Sequence, residues 1–258
     1  MTGSSIKTLK ILSALLTYPD EDLVAAAPEM KVILDQEALL PKAHRQGIAL
    51  LIDDLAGCDL MEAQERYILL FDRTRSLSLH LFEHVHGENR DRGQAMVDLI
   101  RIYEEHGLSP VATELPDFLP LFLEYASMLA AQDAIELIGQ PAHVLAALHE
   151  RLKKRQSPYA AVFAALGALT RLKPDAEMLA RLMAEPDPEP DDLEALDATW
   201  QEEEVRFGPG ATDACGHDRL MPKLRQARRP APGLEPLAGS GPRTVITTSR
   251  TPSIEGSM

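Results

Sequence analysis

Helix-boundary residues occur so often before about residue 205 that a helical fold is the default interpretation of this chain. Pro19 leads into three acidic residues, and Ser157 is followed by Pro158, both typical of helix N-termini. Gly107 follows apolar residues at helical spacing and is a typical helix stop. Strand signals are nearly absent from the same region. The pattern predicts an all-α fold, a single helical bundle of about eight to ten helices.

The composition changes after Phe207. The 51 residues from Gly208 onward contain 7 Gly and 7 Pro, which approaches the content typical of disordered segments. Residues 243–248 have strand propensity, but the sequence offers them no evident pairing partner. We therefore predict a helical domain over 1–207 and a Gly/Pro-rich, basic, disordered C-terminal tail over 208–258. Because the tail has little apolar surface to bury, its removal is expected to leave the fold and partner binding intact.

The charge and composition of the chain exclude some classes of function and favour others. The formal net charge is −14, which disfavours nucleic acid as a partner and favours a basic peptide. The charge is uneven, near −18 before Val205 and near +4 from there to the end. No apolar run approaches the ~18 residues of a membrane span. The N-terminal residues do not resemble a secretory signal, and the chain has 2 cysteines. These features predict a cytoplasmic protein without direct membrane insertion.

The most specific motif lies in residues 65–93, which read ERYILLFDRTRSLSLHLFEHVHGENRDRG. Two further stretches follow in order, LPDFLP at 115–120 and ALDATWQEEE at 195–204. Together they resemble the signature of the nitrate reductase assembly chaperones, also called the delta subunit, within the redox-enzyme maturation chaperones. The resemblance covers about Ile6 to Phe207. Phe118 departs from the pattern, since relatives often have His there, so the resemblance gives no nucleotide-linked role to that loop.

The resemblance implies a function without catalysis. Members of this family are all-helical and bind the N-terminal segment of the apo catalytic (alpha) subunit of nitrate reductase in the cytoplasm. They promote insertion of the molybdenum cofactor before membrane attachment and are absent from the final enzyme. The resemblance therefore implies the apo catalytic subunit as a partner and the molybdenum cofactor delivery machinery as a further one. It implies no catalytic residue, no bound metal and no cofactor of the chaperone's own.

Two aromatic stripes are the candidate client contacts. Tyr67 is followed at i+3 and i+4 by Leu70 and Phe71, and Phe118 by Phe122 and Tyr125 at similar spacing. Such stripes more often belong to a core, so Leu70 and Phe71 are expected to be core and one or two others to touch the client. The full candidate set is Tyr67, Leu70, Phe71, Arg73, Phe82, His84, His86, Asp117, Phe118, Phe122 and Tyr125.

Alternatives remain open for the histidines. His80, Glu83 and His84 fit the H-x-x-E-H pattern of a zinc hydrolase, although no third ligand is marked. His84 and His86 would otherwise be hydrogen-bonded corner residues or lie near the client. Four arginines at 73, 75, 90 and 92 form either a salt-bridged corner or a site for acidic groups of the client or cofactor. A permanent structural subunit of a respiratory complex is a third possible function.

Overall fold

The computed structural model describes residues 6–86, 90–109, 114–170, 173–188, 192 and 243–244. These residues contain eleven α-helices and one pair of two-residue strands. The all-α prediction is confirmed for the described residues, with one helix more than expected. The elements are α1 (Lys7–Leu15), α2 (Glu21–Glu37), α3 (Lys42–Gly57), α4 (Leu60–Tyr67), α5 (Leu81–His86), α6 (Arg90–Glu105), β1 (Leu108–Ser109), α7 (Leu119–Ser127), α8 (Ala131–Gly139), α9 (Ala142–Lys154), α10 (Ala160–Leu169), α11 (Ala176–Ala184) and β2 (Arg243–Thr244).

Local capping chemistry sets most of the helix ends. The carboxylate of Asp20 accepts a hydrogen bond from the main-chain N–H of Leu23 at the start of α2. Asp175 caps α11 in the same way. Gly107 has a φ of +75° just after α6, a conformation that glycine adopts without strain. The sequence did not single out α8, because its N-cap residue Ala130 makes no side-chain hydrogen bond and leaves no boundary signal.

Helix α7 lies at the centre of the bundle, with eight of its nine residues buried. Helix α1 packs along it. The Ser13 hydroxyl donates to the carbonyl of Pro120 at 2.6 Å, and the N–H of Ile6 donates to the carbonyl of Ser127 at 2.8 Å. The N-terminal helix is thus held by a helix 107 residues further along the chain.

A second group of helices surrounds α10. Helix α10 packs against both α9 and α3. Helix α2 packs against α3 and α1, and α11 packs against α9. Because α10 has a neighbouring helix on two sides, its alanine-rich sequence is apolar on nearly every face. The helix begins at Ala160, two residues after Pro158, because residues 157–162 first form a turn with i→i+3 hydrogen bonds.

The chain between α4 and α5 is irregular. A π-helical turn spans Ile68–Asp72, and the N–H of Arg73 donates to the carbonyl of Ile68 five residues earlier. A 3-10 turn follows at Arg75–Leu77. The motif segment 65–93 is therefore broken into short pieces. Spacing arguments that assume one continuous helix fail between Arg73 and Leu81.

The two strands form one parallel pair, with Leu108 opposite Arg243 and Ser109 opposite Thr244. Two residues a side are too few to form a layer, so the fold class is unaffected. Leu108 and Ser109 are thus the pairing partners of Arg243 and Thr244, which could not be identified from the sequence. The rest of the tail and the expected helix around Trp200 lie outside the described residues, and the boundary at 207 stays a prediction.

Candidate functional site

The structure buries most of the aromatic candidates for client contact. Tyr67 is 4% exposed and Phe122 is 1% exposed, and the side chains of Leu70, Phe71, Phe82 and Tyr125 belong to the same core. The expectation of a core position for Leu70 and Phe71 is confirmed. In this conformation the other four side chains contact the protein interior, and a partner cannot reach them without rearrangement.

The environment of Tyr67 explains its burial. Its hydroxyl donates to the carbonyl of Leu16 at 2.9 Å, which ties α4 to the end of α1. Its ring lies 5.0 Å from the Phe71 ring and 5.7 Å from the Tyr18 ring, centroid to centroid. Tyr159, the N-cap residue of α10, completes this group. Tyr67, Leu70 and Phe71 lie at i, i+3 and i+4 and therefore share the helix face that is turned to the core, whereas Ile68 is partly exposed.

Asp117 joins the two motif segments. Its side chain is fully buried, and Oδ2 accepts a hydrogen bond from the N–H of Phe82 at 3.0 Å. Oδ1 lies 3.3 Å from Nδ1 of His80. The main chain adds an antiparallel bridge between His80 and Phe118, with Leu119 N–H donating to the carbonyl of Leu79 at 2.8 Å. Asp117 therefore acts inside the protein and holds the 79–82 segment against the start of α7.

His80 is the titratable side chain that faces Asp117 at this junction. Burial lowers the pKa of His80, but the hydrogen bond and charge of Asp117, aided by Glu83, outweigh burial and Arg92, so the net pKa is raised. The ring also lies over the half-buried Phe118, with centroids 5.3 Å apart. The Asp117 contact favours the protonated form of His80.

His84 has a different environment. Burial is the main cause that lowers the pKa of His84 to about 4, so its ring is neutral at neutral pH. Nε2 lies 2.8 Å from the carbonyl of Ser78 and donates to it. The prediction of a hydrogen-bonded corner residue is thus confirmed for His84. The side chain of His86, which ends α5, lies outside the described residues.

The zinc-hydrolase alternative finds no support in this geometry. His80 precedes α5 and His84 lies within it, so the two rings do not share a helical face. Each ring is also engaged, with Asp117 and with Ser78 respectively. Across the parts of the chain that the structure describes, no three His, Cys, Asp or Glu side chains are arranged to hold a metal ion.

The exposed part of this region is a mixed apolar and acidic surface. Tyr18, Ile68 and Leu115 are between 38% and 46% exposed, which is high for large apolar side chains. Asp72 follows Ile68 by one turn, and Glu114 precedes Leu115. Tyr67 connects them, because the Tyr18 ring packs against its ring, Ile68 follows it in the chain, and the charges of Asp72 and Glu114 both act on its hydroxyl. We call Tyr18, Ile68, Asp72, Glu114 and Leu115 the Ile68 surface. Phe118 lies beside His80, whose charge acts on both carboxylates.

Electrostatic coupling shows that the two carboxylates of this surface lie close together. Burial raises the pKa of Glu114, and the charge of Asp72 raises it further while His80 lowers it. Burial likewise raises the pKa of Asp72, with His80 opposing. Neither carboxylate forms an ion pair with a Lys or Arg side chain within the described residues. A cationic group of a partner would therefore be stabilised there.

The arginine candidates separate into two settings. Arg73 is exposed, whereas Arg92 approaches Glu83 at 3.3 Å between Nη2 and Oε1. The side chain of Arg90 lies outside the described residues. The salt-bridged corner is thus observed for Arg92, and a client or cofactor contact by the others stays a prediction.

A buried arginine, which no sequence motif marked, stabilises the 3-10 turn that precedes His80. Arg151 of α9 is 1% exposed, and its guanidinium donates to the carbonyl of Ser76 at 2.7 Å and to the carbonyl of Leu182. Asp187 accepts hydrogen bonds from the Ser76 hydroxyl and from Arg155, each at 2.7 Å. This network fixes the 3-10 turn that precedes His80. Asp187 and Arg155 form a largely buried ion pair.

Comparisons with known proteins agree with this organisation. The family model described as nitrate reductase delta subunit matches residues 37–165, which include four of the five residues of the Ile68 surface. The nitrate reductase molybdenum cofactor assembly chaperone NarJ of Escherichia coli (strain K12) is 43% identical over 218 residues, 84% of this chain and 91% of that protein.

Two further relatives have similar names. The probable nitrate reductase molybdenum cofactor assembly chaperone NarW of the same strain is 38% identical over 217 residues, 83% of this chain and 90% of that protein. The probable NarJ chaperone of Bacillus subtilis (strain 168) is 30% identical over 153 residues, 59% of this chain and 82% of that protein. No helix in the described ranges is long and apolar enough to cross a membrane. The chain therefore belongs to the nitrate reductase delta subunit family.

Proposed function

We propose that this protein is a nitrate reductase molybdenum cofactor assembly chaperone that works by binding and not by catalysis. It binds the apo catalytic subunit of nitrate reductase through the N-terminal segment of that subunit. It holds the subunit in the cytoplasm while the molybdenum cofactor is inserted, and it leaves before the enzyme attaches to the membrane. The established names of the NarJ and NarW relatives, both molybdenum cofactor assembly chaperones, support the assembly role.

The observation that carries the client contact is the Ile68 surface. Three exposed apolar side chains accompany two carboxylates that form no ion pair with a Lys or Arg within the described residues. An amphipathic segment with apolar anchors and a basic residue matches that combination. The helices beneath are well packed, so such a segment would meet a preformed surface and little binding energy would be lost to ordering the chaperone.

Calorimetry with a synthetic peptide from the N-terminus of the catalytic subunit tests this proposal. We expect a Kd near micromolar or tighter, roughly −8 to −10 kcal/mol. Ile68→Asp places a charge at the apolar centre of the surface and should cost about 2 kcal/mol, close to thirtyfold in Kd. Leu50→Asp is the matched control, since Leu50 is an exposed leucine on α3 that lies outside this surface.

The carboxylates provide a second arm of the same experiment. The double variant Asp72→Asn and Glu114→Gln should weaken peptide binding and flatten its dependence on salt. Each variant is first checked for a native helical circular dichroism spectrum. Absence of binding heat for the parent chain at several pH values would refute the proposal. Equal losses for Ile68→Asp and Leu50→Asp would refute the location of the site.

Cell fractionation addresses the alternative of a permanent structural subunit. An assembly chaperone should be recovered with the apo catalytic subunit in the soluble fraction and should be substoichiometric in the mature membrane enzyme. A one-to-one ratio to the catalytic subunit in the purified membrane enzyme would favour the structural subunit.

A further inference from the structure

The outer side of α4 carries exposed side chains that lead directly to Ile68. Met61 is 77% exposed, and Glu65 is exposed one turn later. Together with Ile68 they lie at i, i+4 and i+7, the spacing of one helix face. Asp72 follows Ile68 one turn further on. Apolar and acidic side chains therefore alternate over roughly 16 Å of helix, and we call these four residues the α4 face.

The remaining side chains of α4 hold this helix in place. Gln64 Nε2 donates to the carbonyl of Pro19 at 2.9 Å, at the corner between α1 and α2. Arg66 Nη2 lies 2.6 Å from Oδ2 of Asp54 on α3. The buried ring of Tyr67 packs on the opposite side of the helix from Met61. The α4 face is thus preformed, and a partner would lose little binding energy to ordering it.

The charge of the α4 face is unbalanced. Neither Glu65 nor Asp72 forms an ion pair with a Lys or Arg side chain in the part of the chain that the structure describes. Arg66, the neighbour of Glu65 in the chain, is turned to Asp54. The formal net charge of the whole protein is −14. A second copy of this chain would bring like charges together here, so the face fits a basic partner.

The order of the residues on the α4 face selects a particular kind of basic partner. Met61 and Ile68 are seven residues apart, and each is followed four residues later by an acid. In a pair of helices packed side by side, residues seven apart form the apolar seam, and charged residues beside the seam pair across it. A matching partner helix has apolar residues seven apart, each flanked by a Lys or Arg.

We propose that the client site extends from the Ile68 surface along the α4 face, with Met61 as a second apolar anchor. Glu65 is then a specificity-determining residue that pairs with a basic side chain of the client. This inference rests on the proposed function, since it concerns the extent of the same site. It adds that the client segment lies along α4 as a helix of about three turns, in the heptad register set by Met61 and Ile68.

Calorimetry with the catalytic-subunit peptide tests the apolar part of the site. Met61→Ala shortens a side chain that is mostly exposed, so it should leave the fold unchanged and weaken the Kd roughly fivefold. Met183→Ala is the matched control. Met183 is also an exposed methionine, but it lies on α11, outside the α4 face, and its replacement should leave the Kd unchanged.

Charge reversal tests the acidic part of the site. Glu65→Lys should weaken the Kd about tenfold and reduce its dependence on salt. Glu136→Lys is the control for net charge, because Glu136 is an exposed acid on α8. Peptides in which each Lys or Arg is replaced in turn by Glu provide the rescue. One of them should bind the Glu65→Lys chain more tightly than it binds the parent, which identifies the basic partner of Glu65.

A photo-crosslink tests the same contact with the intact catalytic subunit. A benzophenone amino acid at position 61 of the full chain should crosslink to the N-terminal segment of that subunit in cell extract. The same group at position 183 should not crosslink to that segment.

The outcomes separate this inference from the proposed function. If Ile68→Asp weakens binding while Met61→Ala and Glu65→Lys bind like the parent, the client site stands and its extension along α4 is overturned. Equal losses for Glu65→Lys and Glu136→Lys, or a peptide series without rescue, overturn the pairing of Glu65. Absence of a crosslink from position 61 overturns the anchor role of Met61. If the parent chain does not bind the peptide, the proposed function fails and the extension fails with it.

Discussion

Replacing Asp117 by asparagine isolates the charge at the junction between the two motif segments. Asparagine has the same shape and keeps one oxygen, which can still accept the hydrogen bond from the N–H of Phe82. What is lost is the negative charge that faces Nδ1 of His80 at 3.3 Å. The substitution therefore leaves packing nearly unchanged and tests the ionic part of the contact alone.

The magnitude follows from the hydrogen bond and its charge. A hydrogen bond to a charged group contributes ~1.5–3 kcal/mol to stability, against ~0.5–1.5 kcal/mol for a neutral one. The loss for Asp117→Asn should therefore be about 1.5 kcal/mol while His80 is protonated. For a helical body of this size, 1 kcal/mol corresponds to ~2–4 °C in Tm. The expected decrease in Tm is about 3–6 °C.

The pH dependence has a definite sign. The folded-state pKa of His80 is raised above its ordinary value near 6.5, so the contact contributes fully below that pH and is lost as the pH rises through the folded pKa. The decrease in Tm should therefore be largest at pH 6 and should shrink as the pH rises through the folded-state pKa of His80. Other groups that act on His80, including Glu83 and Arg92, are present in both proteins and nearly cancel in the difference.

Thermal unfolding followed by circular dichroism at pH 6, 7 and 8.5 provides the measurement. Asp35→Asn is the control, since Asp35 pairs with Arg45 on the surface with most of its side chain exposed and should change Tm little at any pH. A decrease in Tm for Asp117→Asn that is the same at pH 6 and pH 8.5 would show that the His80 contact is not ionic.

Two further predictions concern buried polar groups. Arg151→Met leaves the carbonyls of Ser76 and Leu182 without their donor and should destabilise the fold by about 3 kcal/mol or more in urea titration, whereas Arg181→Met on the surface should cost well under 1 kcal/mol. A loss below 1 kcal/mol for Arg151→Met would contradict the network. Tyr67→Phe removes the hydrogen bond to Leu16 and should cost about 1 kcal/mol, whereas Tyr159→Phe removes a buried hydroxyl without a hydrogen-bond partner in the described residues and should be neutral or slightly stabilising. Equal costs for the two tyrosines would show that the Tyr159 hydroxyl is satisfied.

Helix positions were predictable from the sequence because their signals are local. The acids after Pro19, the aspartate before α11 and Gly107 after α6 each act within one turn of their own helix. The identity of the family could be inferred for a similar reason, since its motifs are contiguous in the chain. Neither inference requires knowing which residues meet in space.

The candidate site was less predictable because it depends on distant contacts. One or two aromatic side chains of the stripes were expected to reach the client, but the structure buries Tyr67, Phe122 and Tyr125. Spacing shows which side chains share a helix face, but not whether another helix covers that face. Asp117 meets His80 across 37 positions, and Arg151 meets Ser76 across 75. Periodicity arguments do not extend over such separations.

The packing of α1 against α7 also has a consequence for synthesis on the ribosome. The hydroxyl of Ser13 finds its acceptor on Pro120 only after another 107 residues have been made. At ~5–20 residues per second, α1 waits about 5–20 s for the helix that covers it. During that interval the leucines of α1 are exposed on an incomplete chain. A chaperone that protects another polypeptide during assembly therefore passes through a stage of its own synthesis in which its apolar side chains are uncovered. Slower translation before α7 should therefore increase aggregation of the nascent chain.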